Sequence, residues 1–352
     1  MRAAVFYGRG DVRVEDVPPA PPPGAGEVRI DVEWAAICGT DAAEYLHGPR
    51  FVPLERPHPG SGHQGPTILG HEFAGVIGAV GEGVGGLQIG DRVACGAGVS
   101  CGECAWCRSG RTNLCAAYYT LGLHAHGGLA DHVCAPAAIC VRVPRECEPR
   151  AAVLAQPLSV AMHALARGGV TPESSVAVVG VGGIGSLIVA AAASGGTERL
   201  VAVDVDRERL ETAERLGAAL AVLADEDAEA RLREVSEGRG LDVVLEASGT
   251  EAGLRLALAS LRKGGRVVVV GLHDTPRMLE LFDLSLREID VVTTLAHICA
   301  TDVPRALAAL SRPGLARTVI ETEVRLERFV EDGLVPFAEN RLRGKVVVDV
   351  GA

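Results

Sequence analysis

The sequence predicts a chain of mixed class, an all-β module followed by an α/β domain built on a doubly wound parallel sheet. Three observations predict it. Up to about residue 155 the chain is rich in Gly, Pro and short β-branched runs, the marks of strands joined by long loops. After Pro157 apolar β-runs alternate with segments of helical period, as in a parallel sheet covered on both faces. Between the first such strand and the helix after it lies a run of glycines, VGVGGIG.

In the first module the strand candidates are VRIDVEWAAI, FAGVIGAVGEGV and GDRVACG. SVAMHALARGGV then reads as a helix. The β-runs that follow are VAVVG at 176–180, RLVAVDVD at 199–206, LDVVLEAS at 241–248 and GRVVVVG at 265–271, with REIDVVTTLA closing the series near residue 296. GSLIVAAAAS, RERLETAERLGA, DAEARLREVSEG and EAGLRLALASLRKG lie between them with apolar residues at helical spacing. From His297 the pattern is mixed and ends in KVVVDVGA, a strand expected to rejoin the first module. The boundaries read are 1–157, 158–296 and 297–352.

A chain of 352 residues suits two ordinary domains. Its net charge of −11, with no dense Lys/Arg run, argues against nucleic acid or an anionic membrane as partner and leaves a small molecule as the expected ligand. The start, MRAAVFYGRGDVRVEDV, lacks the pattern of a secretory signal, and apolar stretches are broken before spanning length. A soluble, cytoplasmic protein is expected, whose ten cysteines serve as metal ligands and buried hydrophobes rather than as disulfides.

Gly180, Gly182, Gly183, Ile184 and Gly185 form a G-x-G-x-x-G turn in the strand-to-helix context that gives this pattern its meaning. Such a turn lets a pyrophosphate approach the backbone, where the free N–H groups of the helix N-terminus favour negative charge. Asp204 ends the next strand nineteen residues after Gly185. An acid there accepts hydrogen bonds from ribose hydroxyls and repels a 2′-phosphate, so NAD is expected over NADP. Arg209 reads equally as a ribose contact or a surface arginine, and Lys345 as a pyrophosphate counter-charge or a strand cap.

Cys101, Cys104, Cys107 and Cys115 follow C-x2-C-x2-C-x7-C, a spacing that suits a closed thiolate site for a structural zinc. In a loop there is no core for four thiols to fill. Cys95, just upstream on an apolar run, reads as buried packing. ICGTD at 37–41 and GHEFAG at 70–75 offer a second set: Cys38, His71 and Glu72, a thiolate, an imidazole and a carboxylate with a coordination position left open. An open zinc polarises an alcohol oxygen and lowers its pKa, as hydride loss from the carbinol carbon requires. Asp41 can orient His71, and Thr40 can relay the alcohol proton.

The order ICGTD, EYLHGP, GHEFAGVIGAVGEGV, GDRVA, CGECAWCRSGRTNLC, QPLSVAMHAL, VGVGGIG and KVVVDV resembles the zinc-dependent medium-chain dehydrogenase/reductase family through nearly the whole chain, most of all its butanediol and sorbitol (polyol) branch. The resemblance implies a GroES-like catalytic domain with two zinc sites, a Rossmann domain binding NAD, a cleft between them, and a homodimer or homotetramer formed partly by Rossmann sheet edges. It also implies Cys38, His71 and Glu72 as catalytic-metal residues, Thr40 as the proton-passing hydroxyl, Asp204 as the ribose acid and Lys345 as a base near the pyrophosphate. Two positions depart from the branch. Gln156 stands where a Glu precedes Pro-Leu, so a neutral amide, still able to bind metal through its oxygen or a water, replaces an anion. Ala43 stands where a histidine ends the proton relay; His47, His58 and His63 are nearby substitutes, each also readable as a solvated loop histidine.

The expected function is hydride transfer between NAD(H) and a secondary alcohol/ketone pair, on a diol, polyol, cyclitol or sugar-like metabolite. One alternative keeps NAD but alters or loses the catalytic zinc, as a specialised reductase or a redox-neutral enzyme. Another is a non-catalytic NAD-binding sensor or structural protein.

Overall fold

The computed structural model describes residues 1–351, which divide into two compact units: Met1–Ser159 with the stretch from His297 onward, and Val160–Ala296. No helix among the described residues is long and apolar enough to cross a membrane.

The first unit is built on a sheet that runs Cys140–Arg142, Arg92–Cys95, Glu72–Val80, Glu27–Ala36, Lys345–Asp349 and Ile320–Arg325, with His132–Pro136 also paired to Glu27–Ala36. In the strand Glu27–Ala36, Val28, Ile30 and Val32 point inward in strict alternation. A register irregularity between Val32 and Trp34 then breaks the period, so that Ala35 and Ala36 are both buried. Cys95 is buried in its strand, as its apolar surroundings suggested. A smaller sheet pairs Asp11–Asp16, Arg2–Gly8 and Thr67–Ile68.

Register decides what meets at the end of this sheet. Ala36 lies opposite Glu72 on one side and Val347 on the other. Antiparallel pairing therefore brings Cys38, two residues beyond Ala36, alongside His71 and Lys345 although the three are far apart in sequence.

The second unit has a six-stranded parallel sheet in the order Leu220–Leu223, Arg199–Asp204, Ser175–Val179, Leu241–Glu246, Leu261–Val269 and Asp290–Thr293. The chain starts in the middle, winds outward one way and then the other, which places the topological switch point beside Ser175–Val179. Helix Gly183–Ser194 is buried from Gly185 to Ala192, in keeping with an apolar composition around its whole circumference. Helix Arg207–Arg215 is capped by Asp206, whose Oδ1 accepts from the Glu208 N–H at 2.9 Å, and Glu251–Ala259 by Thr250, whose hydroxyl accepts from Gly253. Strand Leu220–Leu223 is absent from the sequence-based expectation, because ALAVLA is short, alanine-rich and only half-buried at the sheet edge.

Candidate metal centres and dinucleotide turn

Within the cysteine quartet all four sulfurs lie within 4.8 Å of one another. The Sγ separations are 3.5 Å for Cys101 and Cys115, 3.6 Å for Cys104 and Cys107, and 4.0 Å for Cys101 and Cys107. A zinc–sulfur bond of about 2.3 Å implies tetrahedral edges of about 3.8 Å, whereas a disulfide requires about 2.05 Å. The sulfurs are thus spaced for a shared ion, and all ten cysteines are free thiols. Backbone amides already point at them: Cys101 N–H donates to Cys115 Sγ at 3.2 Å, Cys104 N–H to Cys101 Sγ at 3.4 Å and Ala117 N–H to Cys115 Sγ at 3.3 Å. Amides of Ala116 and Cys107 draw the Cys104 thiol down to about 6, while desolvation and its sulfur neighbours push Cys107 up to about 11.

Cys38, His71 and Glu72 also offer ligand atoms that all lie within 4.8 Å of one another. Cys38 caps the helix Gly39–His47 in an extended conformation, held by its N–H donating to Asp41 Oδ2 at 2.9 Å. His71 and Glu72 are buried. Asp41 Oδ1 and His71 Nδ1 face each other at 3.6 Å, too long for a hydrogen bond, and neither buried atom has a hydrogen-bond partner in the protein. Burial opposes a charge on His71, but electrostatic interaction with Cys38, followed by Asp41, raises it to about 10. A soft thiolate, an imidazole and a carboxylate suit zinc. Thr40 Oγ1 lies 3.7 Å from Cys38 Sγ, within the same small group.

Lys345 opens the strand Lys345–Asp349. Its ammonium is buried, forms an ion pair with Glu72 and donates to the Ile37 carbonyl at 2.9 Å. Sheet register dictates this, since Lys345 lies across from Cys38; by its contacts it belongs to the metal group. Gln156 is buried in the first turn of helix Ala155–Gly168, two residues before Leu158.

In the second unit each glycine of the turn has its own reason. Gly180 has φ +87°, and a Cβ there would meet the Ser248 backbone N at 2.7 Å. A Cβ on Gly185 would meet the Gly180 carbonyl at 1.8 Å, so this glycine lets helix pack on strand. A Cβ on Gly182 would have only an Arg209 nitrogen near it, at 3.9 Å, leaving open space above the turn. Gly183 and Ile184 begin the helix, where N–H groups lack intrahelical partners. That is a cradle for a pyrophosphate. Asp204 Oδ2 accepts from Val181 N–H at 2.7 Å and its Oδ1 lies 3.9 Å from Arg209, so acid, turn and arginine come together.

Sequence reasoning passed over Glu246. Buried at the end of its strand, it accepts from Ser248 N–H at 2.8 Å, Gly249 N–H at 2.9 Å and His273 Nε2 at 3.0 Å, and so fixes the loop that abuts Gly180. An acid closing the apolar run LDVVLE was the available signal.

Residues 24–145 match the family described as alcohol dehydrogenase GroES-like domain, and residues 183–312 match zinc-binding dehydrogenase. Sorbitol dehydrogenase of Bacillus subtilis is 36% identical over 77% of this chain and 75% of its own. (R,R)-butanediol dehydrogenase of the same organism is 30% identical over 99% of both chains. The crystal structure of 2R,3R-butanediol dehydrogenase from Bacillus subtilis superposes with a TM-score of 0.91 at 29% identity, covering 99% of each chain. Two thiol-centred groups, a dinucleotide turn and this likeness along the whole chain converge: the chain belongs to the zinc-dependent medium-chain dehydrogenase/reductase family, in its polyol dehydrogenase branch.

Proposed function

We propose that this protein is a zinc-containing oxidoreductase that moves a hydride between NAD(H) and a secondary alcohol or polyol. The observation that carries the reading is the assembly of Cys38, His71 and Glu72, with ligand atoms within 4.8 Å of one another, in a chain that also carries the glycine turn.

Cys38, His71 and Glu72 would hold the catalytic zinc, with Gln156 as a further oxygen donor, and the cysteine quartet the structural one. Zinc bound at this second, Cys38–His71–Glu72 site would supply Lewis acidity that lowers the pKa of an alcohol. Thr40 takes up the alcohol proton at Oγ1 and passes it on. Asp41, which faces His71 Nδ1 across 3.6 Å, would take that N–H once the imidazole binds metal. Lys345 balances the charge of Glu72. Gly180 to Gly185 receive the pyrophosphate, while Asp204, with Arg209 beside it, binds the ribose hydroxyls and disfavours a 2′-phosphate. The substrate is a diol, polyol, cyclitol or sugar-like alcohol. A reducing cytoplasm suits a chain that depends on free thiols.

We also propose a homo-oligomer. Strand Asp290–Thr293 ends its sheet with an unpaired edge, and Val291, Phe282 (80% exposed) and Met278 (98% exposed) are apolar side chains open to solvent in the same segment. A Val291→Lys variant should shift the mass measured by light scattering to that of a monomer.

The central test pairs metal analysis with an NAD-linked alcohol panel on wild type and Gln156→Glu. Two zincs per chain and NADH formation from diols or polyols are expected. Full activity after verified removal of the second metal would sink the catalytic-zinc assignment, and preference of the wild type for NADP would sink that of Asp204.

A further inference from the structure

Four imidazoles outside the metal groups gather where two loops of the first unit meet. The segment from His58 to His63 lies against the segment from Thr120 to His126, joined by the Ser61 hydroxyl donating to the His124 carbonyl at 2.5 Å. The rings of His58 and His124 stack with centroids 4.3 Å apart and 30° between planes. Phe51 meets His124 edge-on at 6.0 Å, and His63 pairs with His126 at 4.6 Å.

The backbone determines which ring nitrogen carries the proton. Nδ1 of His58 accepts from the N–H groups of Gly60 and Ser61, each at 3.2 Å, and Nδ1 of His124 accepts from Thr120 N–H at 3.0 Å. A nitrogen that accepts cannot also hold a proton, so both rings are neutral with the proton on Nε2. His63 differs. The Thr67 hydroxyl donates to the Gly65 carbonyl at 3.1 Å, which leaves its oxygen to accept from His63 Nε2 at 2.9 Å, and that donor is used inside the protein. Among the described residues, no protein acceptor meets Nε2 of His58 or His124.

Two roles are thereby removed. A neutral imidazole that binds metal through Nε2 needs its proton on Nδ1, where these rings accept. A relay that passes a proton through the ring must take it at one nitrogen and release it from the other, so neither ring suits the relay position vacated at Ala43. Burial keeps both rings below the ordinary histidine range, His124 at about 4 with His58 adding to the effect, so they stay uncharged donors at neutral pH.

The loop that carries His124 runs beside the chain entering the metal group. Gly128 N–H donates to the Gly70 carbonyl at 2.8 Å, and Gly122 is so close that a Cβ there would come within 2.8 Å of the His71 backbone nitrogen. We propose that His58 and His124 are substrate-recognition residues, a stacked pair of Nε2–H donors for the hydroxyl oxygens of a polyol other than the one being oxidised. The inference rests on the polyol oxidoreductase reading above.

Asparagine is the informative replacement, since its Oδ1 can still accept the loop N–H while the outer donor disappears. In the zinc-loaded protein with NAD, His58→Asn and His124→Asn should each lower the ratio of kcat/KM for sorbitol to that for butan-2-ol by about five- to tenfold, the loss expected for one neutral hydrogen bond, chiefly through KM. An unchanged ratio in both variants overturns the proposal. Nitrogen-15 NMR of the wild type supplies a readout independent of turnover. Both rings should show a protonated Nε2 and a bare Nδ1, and sorbitol should shift the Nε2 signals more than butan-2-ol does. A proton on Nδ1, or no response to sorbitol, overturns the pair's role. Wild-type protein that oxidises no alcohol yet shows the sorbitol-specific shift would instead overturn the parent reading and leave the recognition pair standing.

Discussion

The two metal groups of this chain are built in opposite ways. The quartet draws all its sulfurs from residues 101–115, and much of it is exposed or half-exposed. The second group takes Cys38 from the end of one strand and His71 and Glu72 from its neighbour, and buries an ion pair with a lysine 273 residues away from Glu72. A loop can satisfy four thiols by local folding and return nothing but rigidity. A site that turns over needs an open position, and Cys38, His71 and Glu72 are brought together by the register of the sheet.

The comparison breaks if either group can do the other's work, and the largest effect should come from the ligands. Cys38→Ser should cut alcohol oxidation by roughly a thousandfold, several kcal/mol of lost charge stabilisation, with near-UV circular dichroism unchanged. Cys104→Ser should do the reverse, lowering Tm by about 10 °C as several kcal/mol of metal-linked stability disappear, with activity per folded molecule retained below the transition. Loss of fold in the first variant, or of chemistry in the folded second, would erase the distinction. Chelation sharpens the same point: brief treatment should remove one zinc and all oxidation while the quartet keeps its metal, as read by metal analysis and activity on one sample.

Lys345→Met should come next. Removing one partner of a buried pair costs about 3 kcal/mol, so the metal-free protein should unfold at lower denaturant. Because Glu72 then faces zinc without a competing cation, zinc affinity at the second site should rise, a sign that a purely structural lysine would not give. The smallest effect concerns the cofactor. Asp204→Asn keeps the acceptor that Val181 uses but removes the charge, so the ratio of NADP to NAD in kcat/KM should rise about tenfold. An unaltered ratio would mean that the carboxylate only braces the turn.

Much of this was legible in the sequence, for reasons that are local. Four cysteines at short spacing close a site by themselves, and three glycines between a strand and a helix describe a turn that needs one positive φ, at Gly180, and a close helix–strand approach, at Gly185. The central parallel strands were readable because both faces are buried and the runs are continuously apolar. The edge strand Leu220–Leu223 escaped because its only strong claim to be a strand is the neighbour it pairs with, Arg199–Asp204. For the same kind of reason the sequence left Lys345 between a pyrophosphate counter-charge and a strand cap, since nothing in KVVVDV states that Glu72 lies within reach.

The sequence alone determined the fold class, the family, the dinucleotide turn and the quartet, all of which depend on spacing within one element or one loop. Tertiary structure alone decided that Ala36 pairs with Glu72 and Val347, and with that register which thiolate, imidazole, carboxylate and ammonium share one buried volume. It also decided the protonated nitrogen of His58 and His124, because a tautomer is chosen by the hydrogen bond at the opposite nitrogen, and that bond exists only once the loops have met.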